Sequence, residues 1–220
     1  MKRLYLVRHG ETVGSAGLAV GQTDLQLSPE GVREVETLAA SWRGPAPDLL
    51  VASDLSRAAR SAQILAARFG GFPTFDPRLR ELSFGDWEGQ PWDEIHRDDP
   101  GRLAAWGERW WEVAPPGGET YAQLARRVRA WFAELTPRAG EVVVVVAHGG
   151  SLRALLAALL DLPPAELFQR HLDLAHVSAL GAAGGRFNLL YYNQARFAAD
   201  AGSPDGAAGA GREDRRDPAP

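Results

Sequence analysis

Val142-Val143-Val144-Val145-Val146-Ala147-His148-Gly149-Gly150-Ser151 is the stretch on which the fold of this chain turns. A run of β-branched residues without polar alternation fits a strand buried on both faces, as at the centre of a parallel sheet. The glycines end that strand, and Leu152, Leu155, Leu156 and Leu159 recur at helical spacing immediately beyond. The unit is strand, tight turn, helix, with a histidine at the turn.

Similar units lie upstream. Arg3 to Val7 reads as a short buried strand. Ser28-Pro29-Glu30 opens a helix, with Ser28 a good N-cap and Pro29 suited to the first helical position, and Val32, Val35, Leu38, Ala39 and Trp42 form its apolar stripe. Leu49 to Ala52 is a further buried strand. Ser53-Asp54 is expected to cap a helix reaching Phe69, with Leu55, Ala59, Ala62 and Leu65 turned inward.

The middle of the chain is less regular. Phe72 to Phe75 reads as a strand, Arg80 to Gln90 as loop, and Trp92 to Val113 as helix broken at Pro100-Gly101. Thr120-Tyr121-Ala122-Gln123 has the form of a capping box, followed by a helix that buries Tyr121, Leu124, Val128, Phe132 and Leu135. Val177 to Leu180 and Arg186 to Tyr192 fit a hairpin closed by Ala183-Gly184-Gly185. Strands alternating with helices predict a three-layer α/β/α sandwich on a mostly parallel central sheet. One domain is expected over residues 1–198. The Ala-, Gly-, Pro- and Arg-rich tail at 199–220 has no periodicity and is expected to be disordered.

Composition narrows the function. With 45% hydrophobic and 24% charged residues the chain is an ordinary globular protein. A net charge of −4 and a pI near 5.8 argue against nucleic acid or an anionic membrane as partner. There are no cysteines, which excludes disulfides, thiolate metal sites and cysteine nucleophiles. No apolar run approaches the roughly 20 residues of a membrane-spanning helix. Met-Lys-Arg leads directly into strand-like sequence, so the expectation is a cytoplasmic protein without a signal peptide.

Open α/β sheets place their sites beyond the carboxyl ends of the strands. Arg8-His9-Gly10, Ser53 to Arg57 and His148-Gly149-Gly150 each lie directly past a strand. Two histidines and two arginines thus reach one sheet edge, and in an acidic protein such a basic pocket has an anion as its natural guest. Arginine suits phosphate because its planar fork donates paired hydrogen bonds and keeps its charge. Glycine beside each histidine is expected to let a ligand approach the backbone. A histidine ring nitrogen can take a phosphoryl group covalently, and positive charge stabilises the transition state. The leaving alkoxide then needs a proton. Glu81 is the candidate donor, with its proton favoured by the apolar neighbours Leu82 and Phe84, although spacing alone does not prefer it to Asp86 or Glu88.

Arg8-His9-Gly10-Glu11-Thr12, Gly21-Gln22-Thr23-Asp24, Ser53-Asp54-Leu55-Ser56-Arg57-Ala58, Arg80-Glu81-Leu82-Ser83-Phe84-Gly85, Pro116-Gly117-Gly118-Glu119-Thr120 and Ala147-His148-Gly149-Gly150 occur in that order. Together they resemble the histidine phosphatase, or phosphoglycerate-mutase-like, superfamily from about Met1 to Asn193. The resemblance implies His9 as phosphorylated nucleophile, Glu81 as proton donor, and Arg8, Arg57 and His148 as phosphate pocket. It also implies no metal or other cofactor. Ser15, Gly21, Gln22 and Gly149 are further candidates for substrate contact. Within the family the chain looks more like the α-ribazole phosphatase branch than the glycolytic mutases, because Leu82-Ser83-Phe84 follows Glu81 where mutases carry Arg-His-Tyr. Ser15 stands where the family usually has asparagine, and Leu18 where arginine often follows a glycine.

The expected activity is metal-independent hydrolysis of a small phosphorylated metabolite, with α-ribazole 5′-phosphate a candidate. A phosphoglycerate mutase, a non-catalytic phospho-ligand module and a metal-dependent phosphoesterase are the rivals. The last is disfavoured because arginines beside His9 repel a dication. The sequence leaves open whether the protein is a homodimer, and whether His176 or Trp87 meets substrate; Trp87 is the best aromatic candidate. Arg60 and His96 are expected to face solvent.

Overall fold

A computed structural model describes residues 1–44, 46–135 and 140–197. The tail expected to be disordered at 199–220 lies outside the described residues. Six strands form one sheet: β1 (Arg3–Arg8), β2 (Leu49–Ala52), β3 (Thr74–Phe75), β4 (Val142–Ala147), β5 (Val177–Ala183) and β6 (Arg186–Gln194), in the order β3-β2-β4-β1-β5-β6. Strands β3, β2, β4 and β1 run parallel, and β5 is antiparallel to both β1 and β6. The mostly parallel sandwich expected from the sequence is the observed architecture.

The valine run explains the layers. Val143 and Val145 belong to a core with Leu4 and Leu6 of β1, packed under helices α5 (Tyr121–Leu135) and α6 (Gly149–Leu160). Val144 and Val146 point the other way, into a core with Val7 and helices α1 (Pro29–Ala40) and α2 (Ser56–Phe69). Side chains alternate across a strand, so one valine run fills two cores, and all four of these valines have 0% exposure.

The local signals held in part. Ser28 caps α1 by accepting from Gly31 N at 3.0 Å, and Thr120 and Gln123 exchange the two bonds of a capping box at 2.7 and 3.1 Å. Helix α2 begins later than expected, with Leu55 rather than Ser53 or Asp54 at its N-cap. Its first N–H is served from a distant loop, Ser56 N donating to Asp24 Oδ1 at 2.7 Å. Asp54 is instead held in a two-pronged pair with Arg80, at 2.7 and 2.6 Å. Ala58, not Ala59, is buried on α2, and Trp131 is buried on α5 while Phe132 and Leu135 are partly so. The tryptophan-rich segment is two helices, α3 (Trp92–Asp98) and α4 (Pro100–Glu108). The break falls at Asp99 because the residue before proline is pushed out of helical geometry. A short 3-10 turn, Gly85–Trp87, interrupts the expected loop.

Register sets the position of the site. Arg8 pairs with Ala147, and Ala52 with Val146, so His9, His148 and Ser53 emerge at one edge. Strand β5 runs the other way, so the residues before it return to the same place: Ala175 N donates to His9 O and Arg8 N to His176 O, both at 3.1 Å. Among the described residues no helix is long and apolar enough to cross a membrane.

Candidate active site

A cavity of about 370 Å³ opens at this edge, lined by Arg8, His9, Arg57 and Glu81, together with the loop residues Thr12, Ser15, Leu18, Val20 and Gly21. Leu82, Phe84, Trp92, Trp106, Tyr121, Gly150, Arg153 and Leu174 complete the lining.

His9 is buried, and its Nδ1 lies 2.7 Å from the carbonyl of its neighbour Gly10. A carbonyl only accepts, so this bond places a proton on Nδ1 and leaves the lone pair on Nε2. Burial first, then Arg57 and Arg8, hold the ring's pKa well below the usual 6.5, so the ring is neutral near neutral pH. Gly10 does not make room for a ligand as expected. A Cβ there would stand 2.5 Å from Gly31 O, so the glycine admits the first turn of α1.

Arg57 has only 2% exposure, and its guanidinium is fully oriented. Nη1 donates to Thr23 O and Nη2 to Gly21 O, each at 2.7 Å, and Nε donates to His148 Nδ1 at 3.2 Å. That last bond requires a lone pair on His148 Nδ1 and therefore a proton on Nε2. His148 is fully buried, stands behind the cavity wall, and packs its ring 5.0 Å from that of His9. Its pKa too is held well below 6.5, by burial first and then by His9, Arg57 and Arg8. Arg8 donates from Nη1 to Leu172 O.

Among the described residues, two buried donors of this cluster, Arg8 Nε and His148 Nε2, have no hydrogen-bond partner. Each such orphan costs about 1–3 kcal/mol, and an anion accepting both would recover that energy. Glu81 lines the same cavity, near Arg8 over the bare Cα of Gly149. Its carboxylate accepts from Gly150 N at 3.0 Å and from Leu82 N at 2.9 Å. Its backbone carbonyl is gripped by Arg127 Nη2 at 2.7 Å and Gln22 Nε2 at 3.1 Å. Arg127 is paired in turn with Glu119 at 2.5 Å, so the loop that carries Glu81 is fastened to α5.

His9, Arg8, Arg57, Glu81, Ser15 and Gly21 line the cavity. Gln22 does not; it braces the Glu81 loop, and its backbone N–H donates to Glu88 Oε1 at 3.0 Å. Gly149 also stands off the lining, its bare Cα facing Arg8, Arg153 and Glu81. Glu88 ties the loops together by accepting from Phe84 N at 3.0 Å, whereas Asp86 is exposed. Trp87 is buried at 3% exposure with Ala19 and Ile95, so the aromatic wall is Phe84, Trp92 and Trp106 instead. His176 lies off the cavity, with Nδ1 on Leu174 O at 2.8 Å, and Arg60, His96 and His171 are exposed. Arg153 and Tyr121 were missed. Arg153 had a legible signal, since it follows Gly149 by one helical turn. Among the described residues no three His, Cys, Asp or Glu side chains cluster as metal ligands would.

A phosphoglycerate-mutase-like sheet with a basic, histidine-lined pocket at its carboxyl edge defines a class of phosphoryl-transfer proteins. The chain belongs to the histidine phosphatase superfamily (branch 1), whose family model matches residues 4–195. It is 41% identical over 176 residues to a glucosyl-3-phosphoglycerate phosphatase of Mycobacterium tuberculosis, covering 74% of this chain and 78% of that protein. It is 31% identical over 193 residues to an adenosylcobalamin/α-ribazole phosphatase of Salmonella typhimurium, covering 87% and 96%. Its structure resembles that of a mycobacterial glucosyl-3-phosphoglycerate phosphatase in complex with inorganic phosphate, with a TM-score of 0.77 and 36% identity, covering 89% and 99%.

Proposed function

We propose that this protein is a metal-independent phosphomonoesterase that hydrolyses a small phosphorylated metabolite through a phosphohistidine on His9. The observation that carries the reading is the His9 ring, whose Nδ1 is committed to Gly10 O in a cavity shared with Arg8 and Arg57. Nε2 attacks phosphorus in line with the ester oxygen, the P–O bond breaks, and the departing alkoxide takes a proton from Glu81. Water then attacks the phosphoimidazole and gives a proton to the Glu81 carboxylate. The P–N bond breaks, and inorganic phosphate leaves with His9 restored. Arg8, Arg57 and the Nε2–H of His148 hold the equatorial oxygens, where charge accumulates in the transition state.

The relatives' names supply two substrate types, a glycosylated phosphoglycerate and a ribazole phosphate. Both are phosphomonoesters of small alcohols, which supports a diffusible metabolite over nucleic acid or membrane. The test is a quench experiment with a ³²P-labelled monoester. An acid-labile label is expected on the wild type and not on His9→Ala, with p-nitrophenyl phosphate turnover in that variant down by at least about 10³-fold. Substantial turnover by His9→Ala, or loss of wild-type activity on exhaustive chelation, would overturn the reading.

A further inference from the structure

We propose that Arg127 is a positioning residue for the proton donor: its guanidinium, paired with Glu119, turns the backbone of residues 78–81 so that the Glu81 carboxyl faces the ester oxygen. The inference rests on the phosphomonoesterase reading, because that reading makes Glu81 the acid.

Where this segment lies and how it is turned have different causes. Leu79 and Leu82 are buried in the core that holds Leu124 and Val128 of α5. Apolar burial is non-directional, so these leucines fix the place of the backbone between them and leave its peptide planes free to rotate. The side chains of Arg80 and Glu81 leave that core, one for Asp54 and the other for the cavity. Direction comes from Arg127. Its Nη1 donates to Arg78 O at 2.7 Å and to Arg80 O at 2.8 Å, and its Nη2 to Glu81 O at 2.7 Å. Its other bonds go to Glu119, from Nη2 to Oε1 at 2.5 Å and from Nε to Oε2 at 3.1 Å. A guanidinium has five N–H donors, and each has an acceptor here. Three carbonyls gathered at one point repel one another unless a cation stands at the focus, and only a planar fork reaches all of them together.

Glu119 extends the grip past the acid. Its Oε1 accepts from Ser83 N, and its own N–H donates to Ser83 O, both at 3.1 Å. The chain is thus held on both sides of Glu81. Arg127 meets the Glu81 backbone and not the carboxylate, which accepts from Leu82 N and Gly150 N. Nor does Arg127 line the cavity, so it acts through Glu81 and not on the substrate. Its mount is rigid, because the buried Leu124 and Val128 flank it on the helix.

The test is the alkyl-to-aryl ratio of kcat/KM, with glycerol 3-phosphate and p-nitrophenyl phosphate as the probes. It is measured for wild type, Arg127→Gln, Arg127→Lys, Glu81→Gln and the double variant carrying both Gln substitutions. Because kcat/KM covers the steps through release of the alcohol, hydrolysis of the phosphoenzyme does not enter. Arg127→Gln is expected to lower the ratio by roughly 10-fold to 100-fold, the range of a slightly misplaced catalytic group. Arg127→Lys keeps the charge and up to three donors, and recovers part of the loss. On the Glu81→Gln background, Arg127→Gln should change the ratio by less than about 2-fold, because a residue that acts through Glu81 has nothing left to position. A merely structural role lowers both substrates alike and leaves the ratio in place. An unchanged ratio in Arg127→Gln, or an equal fall on the Glu81→Gln background, overturns the proposal. Failure of the phosphatase reading looks different: the wild type turns over neither ester, or Glu81→Gln itself leaves the ratio unmoved, and the proposal falls with it. If Arg127→Gln does not fold, Arg127→Lys is measured in both backgrounds, and a wild-type ratio there overturns the proposal.

Discussion

Arg57 donates from Nε to Nδ1 of His148 at 3.2 Å, and that bond decides which nitrogen of the buried histidine carries its proton. The two residues come from different helix starts, 91 positions apart. Arg57 also grips the carbonyls of Gly21 and Thr23, so one guanidinium sets the tautomer and shapes the loop above it. Lysine presents a single point charge and cannot reach three acceptors in the arrangement of a planar fork. Arg57→Lys is therefore expected to lower kcat/KM for p-nitrophenyl phosphate by about 10²-fold or more. It should also destabilise the fold by about 1–3 kcal/mol, because buried partners lose their donors. Steady-state kinetics and denaturant unfolding check the two halves, and near-wild-type kinetics would remove Arg57 from the phosphate pocket.

Glu81 and Gly150 make a paired prediction. Glu81→Gln is expected to slow alkyl phosphates far more than aryl phosphates, whose leaving groups need no proton. Equal slowing of both would reassign the acid. Gly150 N holds the Glu81 carboxylate, and a Cβ on Gly150 would overlap Glu81 Oε1. The atom displaced is the end of a flexible side chain, and alanine is the better helix former by about 1 kcal/mol. Gly150→Ala should thus reproduce the leaving-group pattern of Glu81→Gln while its thermal midpoint holds or rises. A variant with unaltered alkyl-to-aryl rate ratio would show that this carboxylate position is not needed.

Burial also makes stability depend on pH. His9 and His148 are both held well below the ordinary 6.5, so the unfolded chain binds protons that the native state refuses. Their contribution to stability is complete above 6.5 and is lost as pH falls below it toward their native values. The thermal midpoint is expected to drop as the pH is lowered from 6.5. His148→Asn, which cannot titrate, should show a shallower drop across the same window. An identical slope in the variant would mean that His148 is not buried as a neutral ring.

Much of this protein was legible in its residues. The unbroken Val142 to Val146 run fitted a strand with two covered faces, and its valines do fill two cores, one on each side of the sheet. Ordered motifs at strand ends then brought His9, Arg8 and Arg57 to one edge, because parallel strands share a direction. Other features depend on which distant segments happen to touch. Trp87 and Trp106 are the same residue type and pack in one cluster, yet contact with Ala19 and Ile95 buries the first, and the second lines the cavity. Asp54, a plausible helix cap, was drawn instead to Arg80, and Asp24 from another loop took the role. The tautomers of His9 and His148, the grip of Gly150 on Glu81 and the place of Arg153 are long-range hydrogen-bond geometry. Periodicity and spacing report what a segment must bury, while only the folded chain decides which polar atoms lie within 3 Å of one another.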